Sequence, residues 1–318
     1  MKKLHSILIS ILSIAMLTAC APANAVDNAQ AKKSISVSGA FALYPLMQRW
    51  SEEYQKINPN ITFDISAGGA GKGMTDTLAG AVDIGMISRK ISTDEEAKGA
   101  YWAAVAKDAV FPMISVKNPV YADLVKKGVD QKTLIGIFIT GDIKTWGQVV
   151  GRPEVKDEIH VYTRSDASGA ADAWSGYLGN KKQENLKGIG VSGDPGILDA
   201  VIKDPLGIGY NNLGYAFEIS SGKPPAGITT LPMDVNANGL ADADEVLDTQ
   251  AKALDAINTG KYPSPPARLL YLATKGKPGA EVQNFLTWAL TDGQRYVSEA
   301  GYIALLPDQT AQSLNKVR

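Results

Sequence analysis

Arg164-Ser165-Asp166-Ala167-Ser168-Gly169-Ala170 has the residue types of an anion trap. Arg164 offers a planar guanidinium that can grip two oxygens at once. Asp166 stands close enough to orient it. Ser168 is a good helix N-cap, and Gly169 allows a close backbone approach. The first turn of the helix that follows presents N–H groups that favour an anion. A surface turn with a local Arg–Asp pair would use the same residues, and that reading stays open here. A second stretch, 234–245, fits the calcium-loop pattern D-x-[DN]-x-[DN]-G-x5-E. Asp234, Asn236 and Asn238 supply side-chain oxygens and Leu240 its carbonyl. Asp242 acts directly or through water, Glu245 offers both oxygens, and Gly239 makes the sharp turn. A structural calcium ion is the expected cofactor, against a polar loop that matches by chance. A hydrolase triad is not expected. His160 is the one histidine beyond the first few residues, Cys20 is the only cysteine, and Ser168 has no obvious base. The chain is read as a binding protein, not an enzyme.

Residues 1–20 read as a lipoprotein signal peptide: Lys2-Lys3, an apolar run, then Leu17-Thr18-Ala19-Cys20. Cys20 is the expected lipidation site, with Ala23-Asn24-Ala25 the competing cleavage site. The apolar run is short for a membrane span. Residues 21–33 read as a flexible tether. The chain is therefore expected to be exported and held at the cell envelope by lipid. One cysteine excludes a disulfide framework. A net charge of −1 excludes a nucleic-acid footprint, so any anion site must be local.

The rest of the 318-residue chain exceeds one ordinary core and suggests two lobes. Strands are predicted at 35–41, 61–65 and 83–87, alternating with helices at 43–57 and 74–78. A glycine-rich loop at 66–73 lacks both the Walker spacing and G-x-G-x-x-G, so a small anion fits it better than a nucleotide. Ser92-Thr93-Asp94-Glu95 resembles a capping box and predicts a helix over 92–106. Buried strands are predicted at 109–116 and 268–273, and a helix after the calcium loop at 246–257. Lobe 1 is read as 34–114 plus 268–318, and lobe 2 as 115–267. The two crossings would make a hinge.

Several stretches, in order, resemble the phosphate-binding proteins of ABC phosphate transporters. They are Ser38-Gly39-Ala40-Phe41-Ala42-Leu43-Tyr44-Pro45-Leu46, Gly69-Ala70-Gly71, Val82-Asp83-Ile84-Gly85-Met86-Ile87-Ser88-Arg89, Arg164 to Gly169, and Leu206-Gly207-Ile208-Gly209-Tyr210. The C-terminal Trp288-Ala289-Leu290-Thr291-Asp292-Gly293-Gln294 also matches. The resemblance implies an α/β, two-lobed periplasmic-binding-protein-like fold. Each lobe would be a mostly parallel sheet flanked by helices, with two hinge crossovers. It also implies ligand contacts at Ala40, Phe41, Ala70, Gly71, Ser88, Arg89, Arg164, Ser168, Gly169 and Ala170, with Asp166 orienting the arginine. Where the family usually has hydroxyl residues, this chain has Ala40 or Phe41, Ala70 and Ala170. Each lost hydroxyl bond is worth roughly 0.5–1.5 kcal/mol. Arg89 stands where some members carry an aspartate, and it either faces the ligand or pairs with a surface carboxylate. The implied function is capture of a tetrahedral oxyanion, phosphate first, for an ABC permease, by a lipid-anchored monomer. Sulfate, molybdate or tungstate are the alternative ligands, and a surface sensor or scaffold the alternative role.

Overall fold

The computed structural model describes residues 33–318. The expected signal peptide, Cys20 and all but the last residue of the expected tether lie outside the described residues.

The strands, in chain order, are β1 (Lys33–Gly39), β2 (Ile61–Ala67), β3 (Ile84–Ile87), β4 (Ala100–Ser115), β5 (Val129–Asp130), β6 (His160–Arg164), β7 (Ile189–Val191), β8 (Gly207–Asn212), β9 (Ile228–Thr230), β10 (Met233–Asp234) and β11 (Ala267–Lys275). Between β1 and β2 the helix Tyr44–Ile57 buries Leu46, Met47, Trp50 and Tyr54 at helical spacing. Pro45 is tolerated in its first turn, where no intrahelical N–H bond is lost.

Among the described residues, nine strands form one sheet in the order β2-β1-β3-β11-β4-β8-β6-β7, with β9 also on β4. Both ends of the sheet are parallel: β1 with β2 and β3, and β6 with β7 and β8. In the middle, β4 and β11 run antiparallel to each other and to their neighbours. Parallel strands put the loops at their carboxyl ends on one side of the sheet, where a crevice can form.

Two hydrophobic cores share this sheet. One contains Val37, Trp50, Ala106, Leu270 and Phe285. The other contains Ala109, Phe111, Trp174, Tyr210 and Ala267. The change falls between Ala106 and Ala109 on β4, and between Ala267 and Leu270 on β11. The fold is thus a two-lobed α/β architecture in which these two strands cross between the lobes. Among the described residues no helix is long and apolar enough to span a membrane.

Three elements differ from the sequence expectation. The capping box at Ser92 is present, but its helix is only Thr93–Ala97. Gly99, at φ 99°, ends that segment, and Ala100 to Ala106 then lie in β4. The alanine-rich run has helical propensity, and pairing with β11 overrides it. The glycine-rich stretch is not all loop: a helix starts at Ala70 and runs to Ala79. Gly73 lies inside it because a Cβ there would sit 2.8 Å from both the Gly39 Cα and the Met86 carbonyl oxygen. The helix after the calcium-loop motif starts at Gln250, not 246, capped by the Thr249 side chain.

Candidate functional site

The trap sits at the end of β6 and the start of the helix Gly169–Tyr177. Tyr210, buried behind the strand and stacked near Trp174, braces it through its hydroxyl. That oxygen lies 2.8 Å from Thr163 Oγ1 and accepts from the Arg164 backbone N–H at 3.3 Å. Burial raises the Tyr210 pKa above its ordinary value, so the phenol stays protonated.

Arg164 has a side chain only 2% exposed and is held by two carboxylates. Asp166 accepts from Nε at 2.8 Å and from Nη2 at 2.6 Å; Asp194 accepts from Nη1 at 2.7 Å. Burial opposes the charge, but Asp194 and Asp166 outweigh it and hold the guanidinium pKa above normal. Three of the five guanidinium N–H groups are used this way, which leaves two for other acceptors. The Phe41 ring lies over the guanidinium, 5.2 Å from ring centroid to Cζ. Gly193, at φ 69°, must be glycine here, since a Cβ would meet Phe41 Cζ at 2.7 Å.

Segments of the two lobes approach each other closely at a seam. Gly71 N donates to the Ala167 carbonyl at 3.0 Å. A Cβ on Gly69 would meet Asp166 Oδ2 at 2.6 Å, and one on Gly169 would meet the Ser88 carbonyl carbon at 2.6 Å. Ala40, Ala70, Ser88 and Ala170 are all buried, Ala40 and Ala70 within one core and Ala170 within the other. The Ser168 hydroxyl caps its helix, accepting from Ala170 N at 3.1 Å and Ala171 N at 3.3 Å. Arg89 lies at the rim. It makes a two-bond pair with Glu95, at 2.9 and 2.6 Å, and its Nε is 3.7 Å from Asp172 on the opposite lobe. The Glu95 bond is the main reason its pKa is raised. Beside it a crevice of about 610 Å³ is lined by Arg89, Lys90, Asp172, Arg268 and Tyr271.

Sequence reasoning missed three contributors. Asp194, fully buried, lies outside every motif singled out in the sequence. Gln183 clamps the trap from outside, donating to the Asp166 carbonyl at 2.6 Å and accepting from Ser168 N at 2.9 Å. Arg268 was read as the first residue of an apolar strand. A lone arginine at the head of such a strand is a signal of a buried partner, here Asp108.

The motif at 234–245 forms a compact loop. Asp234 accepts from Asn238 N and Gly239 N, Asn236 from Asn238 N, and Asn238 from Leu240 N. Glu245 accepts from Val235 N at 2.8 Å and Asp242 N at 3.0 Å. Both asparagine amides donate to Asp242 Oδ2. Among the described residues no group of three His, Cys, Asp or Glu side chains is gathered as a metal cluster. Besides its carboxylates the loop carries two amide oxygens and the Leu240 carbonyl, and hard oxygens are the type calcium takes.

The lobes, the crossing strands and the seam define a two-lobed binding protein, and the chain belongs to the PBP superfamily: the model of that superfamily's domain matches residues 24–293. The phosphate-binding protein PstS of Methanocaldococcus jannaschii is 25% identical, over 92% of this chain and 88% of its own. PstS of Pseudomonas aeruginosa is 28% identical, over 89% and 86%. The fold also matches a phosphate ABC transporter substrate-binding protein of Clostridium perfringens, solved with phosphate bound. The TM-score is 0.69 at 22% identity, covering 86% of this chain and 100% of that one.

Proposed function

We propose that this chain is an exported, lipid-anchored substrate-binding protein that captures a tetrahedral oxyanion between its lobes for an ABC importer. It carries out no covalent chemistry; closure of the lobes is the working step. The observation that carries the reading is the seam itself. Phe41 and Gly69 of one lobe approach Arg164 and Asp166 of the other, Gly71 and Ser88 approach Ala167 and Gly169, and the buried arginine keeps two N–H donors beyond its aspartates. The similarity to proteins named for phosphate binding supports phosphate as the cargo.

The charge balance supports the same ligand. Arg164 with Asp166 and Asp194 carries a net charge of −1, and Asp166, 17% exposed, faces Gly69 of the other lobe. A carboxylate at that seam accepts a hydrogen bond from the P–OH of hydrogen phosphate but repels a fully deprotonated anion such as sulfate. Phosphate should therefore bind tighter than sulfate even without the aspartate that Arg89 replaces. Calorimetric titration with phosphate, sulfate, molybdate and tungstate tests this. Tight binding of phosphate alone is the expected result. Tight binding of another of the four would reassign the cargo, and no binding of any would leave a sensor or scaffold role.

We further propose that the loop 234–245 holds a structural calcium ion through Asp234, Asn236, Asn238, the Leu240 carbonyl, Asp242 and Glu245. Adding a chelator should then lower the melting temperature by several degrees, and calcium should restore it. In Glu245→Gln the chelator should have little further effect. An unchanged melt, with no calcium found by elemental analysis, would sink this proposal.

A further inference from the structure

We infer that Arg268 is a positioning residue that ties the ligand-side helix to the two strands crossing between the lobes. The inference rests on reading the seam as the oxyanion site. Arg268 is the second residue of β11, and its Cα partner across the sheet is Asp108 on β4. The pair lies at the level where one core gives way to the other. The Arg268 side chain is 8% exposed and Asp108 fully buried. Nη1 of Arg268 donates to the Gly169 carbonyl at 2.7 Å. Nη2 donates to Asp108 Oδ2 at 3.1 Å and to Asn212 Oδ1. The Asn212 amide donates to Asp194 Oδ1, and Asp194 Oδ2 accepts from Arg164. One hydrogen-bonded path thus runs from the crossing strands to the anion-binding arginine. A shorter one runs straight to Gly169, the residue lying against Ser88 of the other lobe.

A buried ion pair is weak evidence for stability, because apolar residues of similar volume often serve as well. Geometry is the better account of this one. The guanidinium reaches three acceptors on three segments, Gly169, Asp108 and Asn212, which an apolar side chain could not hold in register. Burial pulls the Arg268 pKa down against Asp108 and Asp194, and pushes Asp108 up to about 6 against Arg268. Both shifts mark the pair as desolvated. A change of angle between β4 and β11 therefore moves Gly169 and, through Asp194, Arg164.

The test uses the full chain with Arg268→Gln and Arg268→Lys. Oxyanion affinity is titrated well below the melting temperature. Amide hydrogen exchange of the segment 164–173 is followed in ligand-free protein. The Gln variant should weaken phosphate binding tenfold or more and speed exchange in that segment. Lysine, which can still donate to Gly169, should recover part of both. Asp108→Asn keeps the side-chain shape and carries the same test where the Gln variant does not fold. A lower melting temperature with affinity and exchange both within twofold of wild type would make Arg268 merely structural and overturn the inference. If wild type binds none of the four oxyanions, the ligand reading falls, and exchange alone then decides whether Arg268 anchors the helix.

Discussion

Arg164→Ala is expected to weaken oxyanion binding severely and to destabilise its lobe. Two effects combine. Asp166 and Asp194 leave two guanidinium N–H groups, which can make charge-assisted bonds to an oxyanion. Charge-assisted bonds are worth about 1.5–3 kcal/mol each, so losing two weakens binding by roughly a hundredfold or more. The substitution also strands two carboxylates, one of them fully buried. Removing one partner of a buried pair costs about 3–5 kcal/mol. Phe41 loses the cation beneath its ring as well. Arg164→Lys should fall between: it keeps a charge but cannot serve both edges of Asp166 and reach Asp194. Calorimetry reports the affinity and thermal unfolding the stability. An alanine variant that binds phosphate like wild type would place the ligand elsewhere in the cleft.

The trap was legible in the sequence because its parts are local. An arginine, an aspartate two residues on, a serine cap and a glycine specify their own geometry within one turn, and the backbone follows it. The turns of 234–245 were legible for the same reason, since they close within a few residues. What the sequence hid was non-local. Asp194 reaches Arg164 from 30 residues away, and Arg268 reaches Asp108 from 160. Nothing in the spacing of either residue encodes those meetings. Ala100 to Ala106 misled for a related reason: the local preference is helical, and only the partner strand β11, far along the chain, makes it a strand. The glycine-rich stretch looked like a loop because glycine is a poor helix former. Gly73 is there for closeness to Gly39 and Met86, a tertiary demand that local propensity cannot express.

Gly169→Ala should separate binding from stability more cleanly than any change at the arginine. Gly169 opens its helix, and its φ lies outside the range that disfavours side chains. Within its own lobe an alanine is therefore tolerated, and its better helix propensity favours the folded state by up to about 1 kcal/mol. The obstacle is Ser88 on the facing lobe. An added Cβ would lie 2.6 Å from the Ser88 carbonyl carbon and closer still to its carbonyl and hydroxyl oxygens. Backbone atoms there cannot swing aside as the end of a long side chain can. Only opening the seam relieves the clash, and opening it also pulls Gly71 N from the Ala167 carbonyl and Phe41 from Arg164. The expected result is a loss of affinity of two orders of magnitude or more, mostly as faster release, with a melting temperature close to that of wild type. Gly73→Ala is the contrasting case. Its clash, at 2.8 Å from both Gly39 Cα and the Met86 carbonyl oxygen, lies inside one lobe, so it should lower stability whether or not the lobes close. Small-angle scattering in saturating phosphate completes the comparison: the Gly169→Ala protein should keep the larger radius of its ligand-free state. A variant that compacts and binds like wild type would mean that the closed seam is not the ligand-bound form.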